Sequence, residues 1–167
     1  MIIVYSDSNW ANEKEDRIST GGWLLTVNDR PINWQSKKQK KDKNISLVAL
    51  SSTESEYYAL TEAVKESVFI KQWFNFYCKQ SIGLIINVKA DNQGAIHIAD
   101  HSTNHNRTKH IDIQHYFIRE HVRQNKISVN YIKSADQLAD ILTKVMKTPN
   151  FRRLCQLLMN RPPASSL

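Results

Sequence analysis

A helix that carries a carboxylate on its buried side constrains this chain more than any other feature. Ser51 and Glu54 have capping-box spacing: the serine hydroxyl can accept from the N3 backbone N–H while the glutamate reaches back to the cap. The sequence therefore predicts a helix starting near Ser52. From there Tyr57, Leu60, Ala63, Val64, Ser67, Ile70, Phe74 and Tyr77 recur at steps of three and four, forming one stripe that faces a core. Glu56 stands one turn before Leu60 on that side. Glu54 lies about 200° around the helix from it and lines up with Tyr58, Thr61 and Lys65 instead. A carboxylate on the core side is costly unless it is protonated, paired or bound to a cation, so Glu56 demands partners from elsewhere in the chain.

The flanking segments supply an α/β frame. Ile2 to Asp7 reads as a strand that ends at Asp7, and a core strand opening almost at the first residue suggests a piece of a longer polypeptide. The polar run from Ser8 to Ser19 reads as a loop, and Gly21–Val27 and Ile32–Ser36 as a hairpin turning over Asn28 to Pro31. Ile45 to Leu50 is a possible extension of that third strand up to the helix cap. After the long helix, Leu84–Ala90 is a mostly apolar central strand closed by Asp91. A short helix is expected over Asn92–Asp100, and another over Asp112–Gln124 with Ile113, Tyr116, Phe117 and Val122 inward. A last strand covers Ile127–Ile132. Ser134 and Gln137 repeat the capping-box spacing ahead of a helix with Leu138, Ile141, Leu142 and Val145, and Phe151–Met159 forms a closing helix. This order describes an antiparallel hairpin followed by parallel strands reached through helical crossovers. In such sheets the carboxyl ends of parallel strands gather along one rim, where ligand sites form.

The chain has 167 residues and a formal net charge of +7, which points to a polyanionic partner over an acidic small substrate. Lys37, Lys38, Lys40, Lys41 and Lys43 crowd one connection. Arg107, Lys109, Arg119, Arg123 and Lys126 span another, and Lys144, Lys147, Arg152 and Arg153 a third. One such cluster reads equally well as solvated loop lysines; three in one small domain favour phosphate contact. Cys78 and Cys155 have neither disulfide-framework nor zinc spacing and read as small apolar residues in a reducing compartment. No apolar run has the length of a membrane span, and no secretory leader pattern opens the sequence, which suggests a soluble intracellular protein with no membrane partner.

Asp7, Glu56, Asp91 and Asp140 each sit where a rigid element meets that rim. Converging carboxylates raise one another's pKa unless a divalent cation neutralises them, and hard oxygen donors without cysteine favour Mg2+ or Mn2+ over zinc. Two ions in such a site can activate a water and stabilise a leaving oxygen in phosphodiester cleavage. Each acid has a plainer reading as a cap or a solvated group, and helical periodicity does not separate Asp140 from Asp136.

Six blocks occur in an order that resembles the ribonuclease H domain of copia-type (Pseudoviridae) LTR retrotransposon reverse transcriptase polyproteins. They are Tyr5-Ser-Asp-Ser-Asn-Trp-Ala11, Trp34-Gln-Ser-Lys-Lys-Gln39, Ala49-Leu-Ser-Ser-Thr-Glu-Ser-Glu-Tyr57, Asp91-Asn-Gln93, Arg107-Thr-Lys-His-Ile-Asp112 and Asp136-Gln-Leu-Ala-Asp-Ile-Leu-Thr-Lys144. The resemblance runs from Val4 to Lys144. It implies a ribonuclease H-like fold, a five-stranded mixed sheet of order 3-2-1-4-5 flanked by helices, and hydrolysis of the RNA strand of RNA/DNA hybrids with two Mg2+ ions, or Mn2+. It also implies no small-molecule cofactor, and it places Asp7, Glu56, Asp91 and Asp140 as catalytic, metal-binding acids, preferring Asp140 to Asp136. For the substrate it points to Asn9, Lys37, Lys38, Asn92, Gln93, Arg107, Lys109 and His110, with Asn92 and Gln93 suited to a 2′-hydroxyl or base edge. The upstream polymerase domain becomes the expected partner, in the cytoplasm, in virus-like particles, or in the nucleus if the element is domesticated.

Residues 1–147 then form the ribonuclease H-like domain, 148–160 a C-terminal helical extension and 161–167 a flexible tail. Two departures stand out: Asn130–Leu138 contains no histidine, where many cellular and retroviral ribonucleases H carry one before the fourth acid, and Lys41–Ser46 reads as an insertion. The fourfold spacing of His97, His101 and His105 lacks any completing metal ligand. Trp10, Trp34 and Trp73 are expected to pack in the core or on the sheet, with base stacking as the alternative. The competing function is a catalytically weak nucleic-acid binding or connection domain of a reverse transcriptase or a domesticated element.

Overall fold

The computed structural model describes residues 1–11, 17–42, 45–46, 49, 51–79, 85–100 and 109–159. Among these residues there are seven strands: β1 (Ile2–Asn9), β2 (Thr20–Val27), β3 (Arg30–Lys38), β4 (Lys40–Asp42), β5 (Ile45–Ser46), β6 (Ile86–Ala90) and β7 (Ile127–Tyr131). Five helices join them: α1 (Ser52–Cys78), α2 (Gln93–Asp100), α3 (Lys109–Arg123), α4 (Asp140–Thr143) and α5 (Thr148–Leu158). The main sheet has the order β3-β2-β1-β6-β7; counting only its own strands, that is 3-2-1-4-5. β1 is central, antiparallel to β2 and parallel to β6, and β6 is parallel to β7. This is the ribonuclease H fold, as expected.

Side-chain alternation sorts the layers. Ile2 and Val4 of β1, Trp23 and Leu25 of β2, and Ile86 and Val88 of β6 share one buried cluster with Tyr57, Leu60, Ala63 and Val64 of α1, Ala95 and Ala99 of α2 and Ile118 of α3. On the opposite face Leu24 packs with Leu138 and Leu154, flanked by Tyr5, Ile141 and Leu142, so α4 and α5 cover that side. β1 and β2 are thus buried on both faces, which explains their nearly continuous burial, whereas β6 alternates buried Ile86, Val88 and Ala90 with half-buried Asn87 and Lys89.

The β2–β3 hairpin closes on Asn28 and Asp29, both at positive φ of 49° and 60°. This primed two-residue turn matches the strand twist, and it places Pro31 in β3, where an edge strand tolerates a missing donor. β1 passes the expected end at Asp7, because Ser8 and Asn9 still pair with Gly21 and Thr20. Ile45–Ser46 does not prolong β3. It pairs with Lys40–Asp42 in a separate two-stranded antiparallel ribbon.

The long helix begins at Ser52, with the Ser51 hydroxyl accepting from the Glu54 N–H at 3.2 Å. Its buried stripe departs from expectation at both ends. Thr61 is fully buried and bonds the Tyr57 carbonyl at 2.8 Å, while Ile70 and Phe74 are only half-buried and Tyr77 is exposed. Phe69, Trp73 and Phe76 are exposed as well, because the helix outruns the sheet beneath it. α3 starts at Lys109, three residues earlier than the pattern suggested, and Ile118 rather than Tyr116 fills its inner face. Trp10, Trp34 and Trp73 are all substantially exposed and do not belong to the core, whose tryptophan is Trp23. Cys78 is exposed too, at the last turn of α1.

The second capping-box reading fails. Ser134–Asp136 forms a single 3-10 turn, and the helix that follows is the four-residue α4. Gln137 is fully buried and donates to the Ser6 carbonyl at 2.9 Å, so its amide ties this segment to β1 and does not cap a helix. Among the described residues no helix is long and apolar enough to cross a membrane.

Candidate active site

β1 and β6 are parallel neighbours, so their carboxyl ends deliver Asp7 and Asp91 to one rim. Glu56 comes to the same rim from the first turns of α1, and a short polar relay sets its height. Ser8 and Ser55 share a hydroxyl–hydroxyl hydrogen bond of 2.7 Å. The Gln39 amide donates to the Ser55 carbonyl at 2.9 Å while its oxygen accepts from the Ser55 hydroxyl at 3.3 Å. β1, the end of β3 and α1 are thereby locked together beside Glu56. Carboxylate oxygens of Asp7, Glu56 and Asp91 all lie within 4.8 Å of one another.

Asp140 joins from the other face. The Lys144 ammonium sits 2.9 Å from Asp7 Oδ1 and 2.9 Å from Asp140 Oδ1 and bridges the two carboxylates. The Thr143 hydroxyl donates to Asp7 Oδ2. The Asn9 amide holds the same turn by donating to the Thr143 carbonyl at 3.2 Å. This approach requires Gly22, the β2 partner of Asp7: a Cβ there would lie 2.7 Å from Thr143 Cγ2 and 3.0 Å from Leu142 Cβ. Asp136, the rival of Asp140, is half-buried and pairs with Arg153.

Burial and mutual repulsion govern these acids. Burial, then the charges of Asp7 and Asp91, push the Glu56 carboxyl up to about 9 despite a hydrogen bond from the Ser8 backbone N–H. Burial also raises Asp7 to about 6, against the pull of Lys144 and Thr143, and it raises Asp140. Burial alone would lower the Lys144 ammonium, but the charges and hydrogen bonds of Asp7 and Asp140 outweigh it and hold the proton firmly. Glu56 Oε2 is buried without a hydrogen-bond partner among the described residues. An orphaned carboxylate oxygen on a residue grouped with two other carboxylates fits a hard divalent cation, which supplies the missing charge and oxygen-seeking contact together.

Asn92 caps α2, its Oδ1 accepting from the Ala95 N–H at 3.0 Å, and Gln93 follows, exposed beside Asp91. Lys37 is exposed and Lys38 half-buried at the end of β3, the strand that also carries the Ser36 hydroxyl bond to Leu142 at 2.6 Å. Arg107 lies outside the described residues; Lys109 and His110 start the backbone of α3, with side chains that lie outside them too. Sequence reasoning missed three polar anchors: Gln39, Gln137 and Ser134. The Ser134 hydroxyl donates to Asp91 Oδ2 at 2.7 Å from the very stretch that lacks a histidine. Gln39 ends the Trp34–Gln39 stretch, but nothing in its spacing signals a contact to Ser55.

No protein-family model matches the chain. The retrovirus-related Pol polyprotein from transposon TNT 1-94 of Nicotiana tabacum is 39% identical over 158 residues, 93% of this chain and 11% of that protein. The corresponding polyprotein from transposon RE1 of Arabidopsis thaliana is 34% identical over 169 residues, 98% of this chain and again 11% of its own length. The chain therefore spans about a tenth of these relatives. Among solved structures, LC11-RNase H1 in complex with an RNA/DNA hybrid superposes with a TM-score of 0.59 at 12% identity, covering 86% of this chain and 94% of that one. Prototype Foamy Virus Protease-Reverse Transcriptase gives 0.50 at 12% identity, over 99% of this chain and 21% of that one. At such identities the likeness is one of fold.

Proposed function

Since this chain is a ribonuclease H-fold segment homologous to the retrovirus-related Pol polyproteins of copia-type transposons, we propose that it hydrolyses the RNA strand of RNA/DNA hybrids during reverse transcription of such an element. The observation that carries this reading is the convergence of Asp7, Glu56 and Asp91 within 4.8 Å, with Asp140 joined through Lys144. Asp7, Glu56, Asp91 and Asp140 would hold Mg2+ or Mn2+. Two such ions, when bound, supply an activated water and charge stabilisation for the leaving oxygen of a phosphodiester.

The chain's own groups do the rest. Ser8, Ser55 and Gln39 hold Glu56 at the rim, Ser134 fixes one oxygen of Asp91, and Thr143 fixes one of Asp7. Gln93, exposed next to Asp91, is suited to the minor groove of a hybrid, where a 2′-hydroxyl distinguishes RNA from DNA. Lys37, at the end of β3, offers charge to phosphates, as do Arg107, Lys109 and His110 in the sequence, and Lys38 adds to it. Asn9 and Asn92 serve this site from behind, by holding α4 and capping α2. The remainder of the polyprotein, including a polymerase, is the natural partner for a segment this short, in the cytoplasm or in particles assembled there.

The test is cleavage of an end-labelled RNA/DNA hybrid in Mg2+, beside the same RNA single-stranded, with EDTA and Asp91→Asn as controls. Cuts confined to the hybrid's RNA strand, and lost with EDTA and in the variant, are the expected result. Binding without cleavage in both Mg2+ and Mn2+ would instead favour a binding or connection domain.

A further inference from the structure

Both oxygens of Asp7 are engaged within the protein, Oδ1 by the Lys144 ammonium at 2.9 Å and Oδ2 by the Thr143 hydroxyl. Asp140 Oδ1 is taken by the same ammonium at 2.9 Å, whereas Glu56 Oε2 has no partner among the described residues. The acids are therefore not equivalent toward a cation. Glu56 is open to one, but Asp7 and Asp140 hold an internal positive charge that neutralises their repulsion. Lys144 reaches this position from the C-terminus of α4, four residues after Asp140, and its side chain is about one-third exposed, so a path outward to solvent exists.

We infer that Lys144 is a resident counter-ion, which keeps Asp7 and Asp140 in place while the site is empty and competes directly with the divalent cation for them. The inference rests on the metal-dependent reading above. A dication sharing carboxylates with an ammonium a few ångströms away is repelled by it, so filling the site requires Lys144 to give up both ion pairs and swing toward the rim. The apparent cation affinity is reduced by that exchange. The same bridge holds the acidic rim together before the cation arrives, and Lys144 is thus a positioning residue that sets how much cation is needed.

The experiment is calorimetric titration of Mg2+ and Mn2+ into the wild-type chain and the Lys144→Met variant, which keeps the apolar stem and removes the charge. Lys144→Met is expected to bind at least about tenfold more tightly. Its metal-free melting temperature should fall below that of wild type, while its cation-induced rise should be larger. Lys144→Arg, which retains the charge, should stay close to wild type. In the unsubstituted protein, the side-chain NMR signals of Lys144 should shift on Mn2+-free Mg2+ titration as the ammonium leaves, a readout that needs no variant. Equal or weaker binding by Lys144→Met, or a Lys144 signal that Mg2+ saturation leaves unmoved, would overturn the inference and leave the metal-site reading standing. Absence of cation binding by wild type and Lys144→Met alike would remove both.

Discussion

Replacing Glu56 by glutamine should make the cation-free protein more stable while destroying its cation response. Glu56 is 8% exposed, and burial with the neighbouring acids lifts its carboxyl from an ordinary 4.5 to about 9. The folded state thus keeps a proton that the unfolded chain releases, so stability is full below the ordinary value and falls as pH rises toward 9. At about 1.4 kcal/mol per pH unit, the wild-type protein has lost about 3 kcal/mol at pH 7 relative to pH 4.5. A glutamine side chain resembles the protonated acid in shape and charge and carries no such penalty. Glu56→Gln should therefore gain about 3 kcal/mol at pH 7, close to nothing at pH 4.5, and still more at pH 8. In urea, where a domain of this size loses about 2 kcal/mol per molar, the midpoint at pH 7 should rise by about 1.5 M. Urea titrations of both proteins at pH 5, 7 and 8 in EDTA measure this directly. Asp7, raised only to about 6, titrates below pH 7 in both proteins and largely cancels in the difference. A variant no more stable than wild type at pH 7, with an unchanged dependence on pH, would mean that Glu56 is ionised in the fold and that the reasoning is wrong.

Further outcomes follow from the same geometry. Cation binding must displace the Glu56 proton, so the association constant for Mn2+ should rise about tenfold per pH unit between pH 6 and 8; calorimetry in two buffers of different ionisation heat would count the released proton, and a flat profile would contradict it. Gly22→Ala places a methyl group 2.7 Å from Thr143 Cγ2, so α4 must shift away from Asp7; a loss of about 1–3 kcal/mol and weaker cation binding are expected, measured by denaturation and titration. Leu154→Ala opens a void among Leu24, Leu138 and α5 and should cost about 2–4 kcal/mol; amide exchange would show α5 opening first, and unchanged α5 protection would argue that the helix is held by other contacts.

Local patterning carried most of the fold. Alternation and apolar runs locate β1, β2, β3, β6 and β7 to within a few residues, because strands buried on one or both faces, or paired through a short turn, leave a strong one-dimensional signal. The Ser51 cap is equally local: the hydroxyl that accepts from Glu54 lies three residues before it. Where the signal misled, a long-range contact had taken the residue. Ser134 and Gln137 have capping-box spacing, yet Asp91 and the Ser6 carbonyl compete for their side chains, and only a 3-10 turn remains between them. Tyr116 has the right period for a core position but loses it to Ile118, because the orientation of α3 on α1 and β7 is set by packing that no single helix encodes.

Which acids stand at the ends of rigid elements is legible in the order of residues. Asp7 and Asp91 close or nearly close parallel strands, and Glu56 lies one turn before Leu60 on a helix that must bury that side, so period and order raise their approach to one rim as an expectation, which the structure meets. Which of Asp136 and Asp140 lies beside Asp7 depends on packing, because both belong to one short polar segment whose rotation depends on what it packs against. Gly22 lets α4 come down onto β2, Lys144 then spans Asp7 and Asp140, and Asp136 is left facing Arg153 at the surface. A close approach between elements more than a hundred residues apart leaves no period in the chain, and it is this approach that turns three converging acids into a site with a fourth and with a cation of its own.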